Sequence, residues 1–316
     1  MTRAFYKLFA ASGADRLFWA APAPRLRILS YHGVCDDALA GEPWMPSYFV
    51  SASAFESQLR FLRETAHVLR LSEAVRLLES GKLPPRAVAL TFDDGYANNL
   101  FAALPLLEKY NTPATVFLSS HYIESGDMYP FLKLRLVRPN DAAAGNASTY
   151  KSQPLDAVVK QVSGVWEEAR RRLTADQLRT LRPMSIVELR TASSDLIEFG
   201  AHTHTHCILG NETPERRQSE IRVSIAKVAQ WSGRPVTLFS YPNGEPGDFG
   251  EQDQAVLREC GIGAAVTGMG GVNRPGSDLL ALRRLPVGLF HDQAGFRAEV
   301  CGLRASMQLS GWRASR

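Results

Sequence analysis

The stretch Val88-Ala89-Leu90-Thr91-Phe92-Asp93-Asp94-Gly95-Tyr96 constrains the fold of this chain more than any other. A short apolar run of this kind suits a strand buried on both faces, as strands of parallel sheets are. It stops abruptly at two adjacent carboxylates and a glycine, and α/β enzymes place their chemistry at such strand ends. The segment reads as the corner of an active site.

With 316 residues, 45% of them hydrophobic, the chain can bury a large core, and α/β barrels reach this size as one domain. A net charge of +4, spread along the sequence, gives no footprint for a nucleic-acid partner. The one tight basic run, Arg170-Arg171-Arg172, follows Glu167 and Glu168 and reads as a solvated helix face. Cys35, Cys207, Cys260 and Cys301 lie far apart, so neither a disulfide framework nor a zinc–thiolate site is indicated, and a reducing compartment is expected. At the N-terminus Lys7, Asp15 and Arg16 interrupt any signal-peptide core. Residues 1–25 are expected to be a leader whose Phe5, Leu8, Phe9, Leu17, Phe18 and Trp19 pack on the domain or lie on a membrane surface. No window is long and apolar enough for a membrane span. The expectation is a cytoplasmic protein, with peripheral membrane contact as an alternative and export left open; nothing specifies the oligomeric state.

Leu26 to Tyr31 reads as a first strand running into His32-Gly33. Ser53-Ala54-Phe55-Glu56 has the form of a capping box, and Phe55, Leu59 and Leu62 follow at helical spacing. A short helix over 72–80 precedes the opening motif. Beyond it Pro105 suits a helix start, and 113–118 reads as the next strand. Residues 126–194 break the rhythm with a polar loop at 141–148 and mainly helical sequence over 155–192, including a second capping box at Ser185-Ile186-Val187-Glu188. This is read as an insertion or lid within a barrel domain spanning 26–300, with 301–316 as a tail. The alternation resumes with strands at 196–200, 236–240 and 262–267, separated by helices at 213–233 and 251–259. Such repetition predicts a parallel α/β architecture, either a barrel or an open doubly wound sheet. No glycine-rich nucleotide motif opens any helix.

Two further strand ends carry chemistry. His202-Thr203-His204-Thr205-His206 places His202 and His206 on one face of a helical turn; an extended segment would align all three imidazoles. With the Asp94 carboxylate, His202 and His206 make a ligand set for one divalent metal, leaving positions for water. His204 is expected to orient or cover the site. Two carboxylates this close need different roles, so the one on the metal stays an anion while its neighbour takes a proton from activated water. In Phe239-Ser240-Tyr241-Pro242-Asn243-Gly244, proline and the Asn-Gly turn hold Tyr241 rigidly, so that its N–H is expected to donate to a developing oxyanion.

Thr91-Phe92-Asp93-Asp94-Gly95, His202-Thr203-x-x-His206 and Tyr241-Pro242-Asn243-Gly244 together resemble the leading motifs of the polysaccharide deacetylases, the fourth carbohydrate esterase family, whose domain is also named for nodulation-factor deacetylases. The resemblance implies a distorted (β/α) barrel of about seven parallel strands with a mainly helical insertion. It implies metal-dependent removal of N-acetyl, sometimes O-acetyl, groups from sugars. It assigns Asp93 as base, Asp94, His202 and His206 as ligands of a metal that is usually zinc, and the Tyr241 backbone to the oxyanion hole. The chain departs from the family where an arginine that braces the base is replaced by Phe239; Arg283 or Arg284 is the expected substitute from another strand. For the acid that protonates the leaving amine, His291 in Leu289-Phe290-His291 matches the family motif, and His32 is its rival. Tyr96, Pro242, Asn243 and Arg284, with His32 and His291, are expected around the substrate. The opening Tyr31-His32-Gly33 resembles the bacterial branch that acts on exopolysaccharide, capsule or lipid-linked glycans. The expected partner is an N-acetylated glycan; the alternatives are a barrel amidohydrolase acting on a small cyclic amide or imide, and a degenerate glycan-binding module.

Overall fold

The computed structural model describes residues 25–137, 151–192 and 195–302, besides Ser12. The leader at 1–25 and the tail at 301–316 therefore lie almost wholly outside the described residues, as does the loop at 141–148. In chain order the strands are β1 (Leu26–Tyr31), β2 (Val34–Cys35), β3 (Val50–Ser51), β4 (His67–Val68), β5 (Ala87–Phe92), β6 (Ala114–Leu118), β7 (Ile197–Ala201), β8 (Leu238–Ser240), β9 (Ala264–Gly270) and β10 (Leu282–Pro286). The α-helices are α1 (Ala52–Thr65), α2 (Leu71–Glu79), α3 (Leu104–Lys109), α4 (Ser120–Ser125), α5 (Pro130–Val137), α6 (Leu155–Arg170), α7 (Ala175–Leu181), α8 (Ile186–Thr191), α9 (Pro214–Ser232), α10 (Glu251–Glu259) and α11 (Gln293–Val300).

Pairing of β1 with both β5 and β10 closes the sheet. The ring β1-β5-β6-β7-β8-β9-β10 is a seven-stranded barrel in which every pair is parallel, with β4 added at the side of β5. The open sheet allowed by the strand–helix alternation is thereby excluded.

Side chains alternate across a strand, so each strand sends one parity into the barrel. Leu26, Ile28, Ala87, Ala89, Phe117, Leu238, Ala264, Val266 and Leu282 fill its lower half, and α2 plugs that end with Leu71, Ala74, Val75 and Leu78. Glu198 fastens the plug, accepting from Thr115 Oγ1 at 2.6 Å, Ser72 N at 3.1 Å and Ser72 Oγ at 2.6 Å. The opposite parity, including Leu29, Tyr31, Leu90, Phe92 and Val116, packs outward in one cluster with Phe55, Leu59 and Leu62 of α1. Each such buried side chain contributes about 1.5–3 kcal/mol by leaving water. Gly200 shows how tightly the strands close, because a Cβ there would meet the Phe117 ring at 2.5 Å and the Leu238 carbonyl oxygen at 2.9 Å.

Helix α1 is capped two residues before the expected position. Ser51 is its N-cap, accepting from Ala54 N, while Ser53 Oγ donates to Asp37 Oδ1 at 2.6 Å instead. Both serines offer a hydroxyl, and the tertiary partner decides between them. The capping box at Ser185 forms as expected. Helices α5 and α6 of the 126–194 region pack on one another, and Tyr96, Tyr122, Met128, Tyr129, Trp166 and Leu181 join them to the barrel mouth in one apolar cluster. Among the described residues no helix is long and apolar enough to cross a membrane.

Candidate active site

Continuing the inward parity of β1, β5, β7, β8 and β10 to their C-terminal ends gives His32, Asp93, His202, Ser240 and Arg284. His32, Asp93, His202 and Arg284 line a cavity of about 400 Å³, within the range usual for small-ligand sites, and Ser240 stands behind Asp93. The barrel contributes His32, Asp93, Asp94, His202, His206, Asn243 and Arg284 to its walls, and the inserted region contributes Pro130, Phe131, Leu155 and Val158.

Asp93 is held by Arg284 through two parallel hydrogen bonds, Nη1 to Oδ1 at 2.9 Å and Nη2 to Oδ2 at 2.7 Å. The guanidinium is fixed in turn by donating from Nε to Thr267 O at 2.7 Å, and Ser240 Oγ donates to Asp93 Oδ1 at 3.1 Å. The place left by Phe239 is thus filled from β10 by Arg284, whereas Arg283 points outward and donates to Gly270 O. Burial alone would raise the Asp93 carboxyl; the charges of Arg284 and His202, the hydrogen bonds from Arg284 and the charge of His32 outweigh it and bring its pKa to about 2. Asp93 is an anion at neutral pH.

Asp94, His202 and His206 bring one ligand atom each within 4.8 Å of one another. Asp94 Oδ1 lies 3.1 Å from His206 Nε2 and 3.5 Å from His202 Nε2. His202 Nδ1 lies 2.7 Å from the Ser240 carbonyl, which fixes that nitrogen as the donor and turns the Nε2 lone pair toward Asp94. Asp94 Oδ1 is buried and makes no hydrogen bond among the described residues. Lone pairs facing one point, with a buried oxygen left over, fit a divalent cation. Burial would raise Asp94, but the charge of His206 holds it well below the carboxylate range; burial would lower His202, but Asp94 and Asp93 hold it above its usual value.

The histidine segment is neither the helical turn nor the extended strand that its spacing allowed. After β7 it forms a loop in which Thr203 (φ 55°) and His206 (φ 58°) are left-handed, as are Asp94 (φ 71°) and Asn243 (φ 60°). Non-glycine residues in this region cost on the order of 1–3 kcal/mol each and persist only where their surroundings over-determine them. The Tyr129 hydroxyl donates to the Asp94 carbonyl, and Ser119 Oγ to the His202 carbonyl at 2.7 Å. His204 turns away and meets Ser120 Oγ through Nδ1 at 2.7 Å. It does not line the cavity.

The backbone N–H expected to serve as oxyanion donor already has a partner in the sheet. The Tyr241 N–H is engaged with Val266 O at 3.1 Å, its phenol donates to Leu280 O at 3.0 Å, and its ring stacks on Phe249. Pro242 has no N–H, so Asn243, which lines the cavity, carries the next one; among the described residues that N–H donates no hydrogen bond. Tyr96 and Pro242 do not line the cavity, and Tyr96 is fully buried with its hydroxyl 3.4 Å from that of Tyr48. His291 lies outside the lining too, just ahead of α11. His32 is in the lining, its ring 4.7 Å from that of Tyr48, and burial lowers its imidazole against the pull of Asp94 and Asp93. Sequence reasoning missed Ser240, Tyr48 and Phe131. Inward strand parity could have found Ser240; nothing local marks the other two.

A family model described as polysaccharide deacetylase matches residues 80–265. The poly-beta-1,6-N-acetyl-D-glucosamine N-deacetylase of Staphylococcus epidermidis is 36% identical over 92 residues, which are 29% of this chain and 32% of that protein; the match spans about a third of the relative's length. Among solved structures, the Streptococcus pyogenes deacetylase PplD in complex with acetate is similar with a TM-score of 0.62 at 18% identity, over 88% of this chain and 99% of that one. IcaB from Ammonifex degensii gives a TM-score of 0.61 at 20% identity, over 88% of this chain and 98% of that one. At these identities the two structures share the fold.

Proposed function

The chain belongs to the polysaccharide deacetylase family, and from that premise we propose that it hydrolyses N-acetyl groups on a bacterial glycan, with a divalent cation, most simply Zn²⁺, held by Asp94, His202 and His206. The observation that carries the reading is the pairing in one cavity of a three-ligand cluster with a second carboxylate, Asp93, kept anionic by Arg284.

When bound, the cation would polarise the acetyl carbonyl and acidify water. Asp93 is the base that takes the proton of the attacking water, and the Arg284 fork keeps its carboxylate ionised and aimed. The Asn243 N–H, in the cavity wall and without a hydrogen-bond partner among the described residues, supports a reading in which it donates to the developing oxyanion. His32, which lines the cavity beside Asp93, is the group that protonates the departing amine. The Tyr48 ring beside His32 and the Phe131 ring 5.1 Å from that of His206 offer apolar faces to a sugar.

A glycan of N-acetylglucosamine, as in the name of the staphylococcal relative, is the substrate class tested first. Acetate release should be measured on poly-N-acetylglucosamine, chitin oligomers, peptidoglycan fragments and lipid-linked sugars. Release from one of these, lost in Asp93→Asn with metal content retained, is the expected result. No release from any of them by the metal-loaded protein would sink the reading.

A further inference from the structure

Glu220 is a buried carboxylate that takes no part in the cavity. It sits in the second turn of α9 at 5% exposure and does not line the site. A carboxylate in that position is costly unless charge and hydrogen bonds compensate it. Its oxygens accept from Thr205 N at 2.7 Å and Thr205 Oγ1 at 2.6 Å, and Arg216 Nε stands 4.0 Å away. Its own backbone carbonyl accepts from His204 N at 3.1 Å.

These bonds fall on the strained part of the histidine loop. Thr205 lies between the left-handed Thr203 and the left-handed His206. Its carbonyl accepts from the Tyr122 hydroxyl at 3.1 Å, so with Glu220 on its N–H and its hydroxyl, each of its polar groups is held. A loop left to local preference would relax out of two left-handed non-glycine residues. The grip on Thr205 prevents that, and the next residue in the chain is His206.

We propose that Glu220 is a positioning residue for His206: by holding Thr205 it keeps the loop in the one conformation that brings His206 Nε2 to 3.1 Å from Asp94 Oδ1, and so presets the cation site. The inference rests on the reading of Asp94, His202 and His206 as cation ligands. Glutamine at 220 keeps the size but has one acceptor oxygen where two are used. Valine at 205 removes the hydroxyl and keeps the N–H, whereas serine keeps both.

The test is metal affinity, not turnover. Full-length protein stripped with a chelator is titrated with Zn²⁺ against a chromophoric competitor, and with Co²⁺ by its absorption bands, alongside thermal unfolding. Glu220→Gln and Thr205→Val should each weaken Zn²⁺ binding by about 10–100-fold and alter the Co²⁺ bands, as loss of the groups that orient ligands does elsewhere. The double variant should bind no more weakly than Glu220→Gln alone, and Thr205→Ser should bind as the wild type does. Wild-type affinity in both Glu220→Gln and Thr205→Val, whatever their unfolding temperatures, would overturn the proposal and leave Glu220 a purely structural group. Failure of the wild type itself to bind either ion would overturn the ligand reading beneath it. Should Glu220→Gln not fold, the contrast between Thr205→Val and Thr205→Ser decides.

Discussion

Arg284 on β10 holds Asp93, 191 residues earlier at the end of β5, through a two-pronged contact in which neither side chain is more than 4% exposed. An anion and a cation removed from water together tolerate each other; either alone does not.

Arg284→Met should therefore affect stability and activity separately. It leaves Asp93 as an uncompensated buried charge, at about 3–5 kcal/mol, and frees the base to swing, lowering kcat by about 100-fold. Adding Asp93→Asn should restore most of the unfolding free energy and none of the turnover. Arg284→Lys should not rescue activity, since an ammonium cannot form the fork. Denaturant unfolding and acetate release on the same preparations check this, and wild-type turnover in Arg284→Met would show that the brace is dispensable.

Metal removal should be visible without any substrate. A cation that binds only the folded protein adds about 2.7 kcal/mol at a concentration of 100 times its Kd. Chelation should lower the unfolding temperature of the wild type and Zn²⁺ should restore it. The His202→Ala, His206→Ala double variant should show neither shift. A double variant that still responds to Zn²⁺ would place the cation elsewhere.

Tyr241→Phe should leave kcat and KM unchanged. The Tyr241 N–H is bonded to Val266 O, and its phenol faces Leu280 O, so neither reaches the cavity. Losing the phenol hydrogen bond should cost about 1 kcal/mol, read as a lower urea midpoint. A marked loss of turnover would give the phenol a part in the chemistry.

These assignments differ in how far the sequence alone could carry them. Asp93 and Asp94 were legible because a strand and its end are local features. The seven-stranded parallel barrel followed from strand–helix repetition together with the family resemblance, although closure itself rests on the pairing of β1 with β5. The choice of Arg284 over Arg283 was latent in strand parity, since Leu282 and Arg284 share the inward face. The path of the histidine loop was not legible. Two left-handed residues are chosen there by Glu220 and Tyr122, and no spacing rule within five residues reports on partners so distant. The engagement of the Tyr241 N–H was not legible either, because motif order does not show that Val266 O holds it.

A pH test falls on the inserted region, where Arg182 donates to Glu188 through Nη1 at 2.8 Å and Nη2 at 2.5 Å. Ser185 N donates to the same carboxylate at 2.8 Å. Chiefly through Arg182, against partial burial and with help from Ser185, the Glu188 carboxyl falls from 4.5 to about 2. A carboxyl lowered on folding stabilises the folded state above its unfolded pKa and loses that contribution as pH falls through the folded one. The window therefore runs from about pH 4.5 down to about 2. Both side chains are more than a third exposed or nearly so, so solvent screening limits the contribution to about 1 kcal/mol or less. Glu188→Gln should unfold at a lower urea concentration than the wild type at neutral pH, and the gap should close as the pH is taken down through that window. A gap that persists undiminished at the acid end would mean that glutamine disrupts the capping box itself and that the charge contributes nothing.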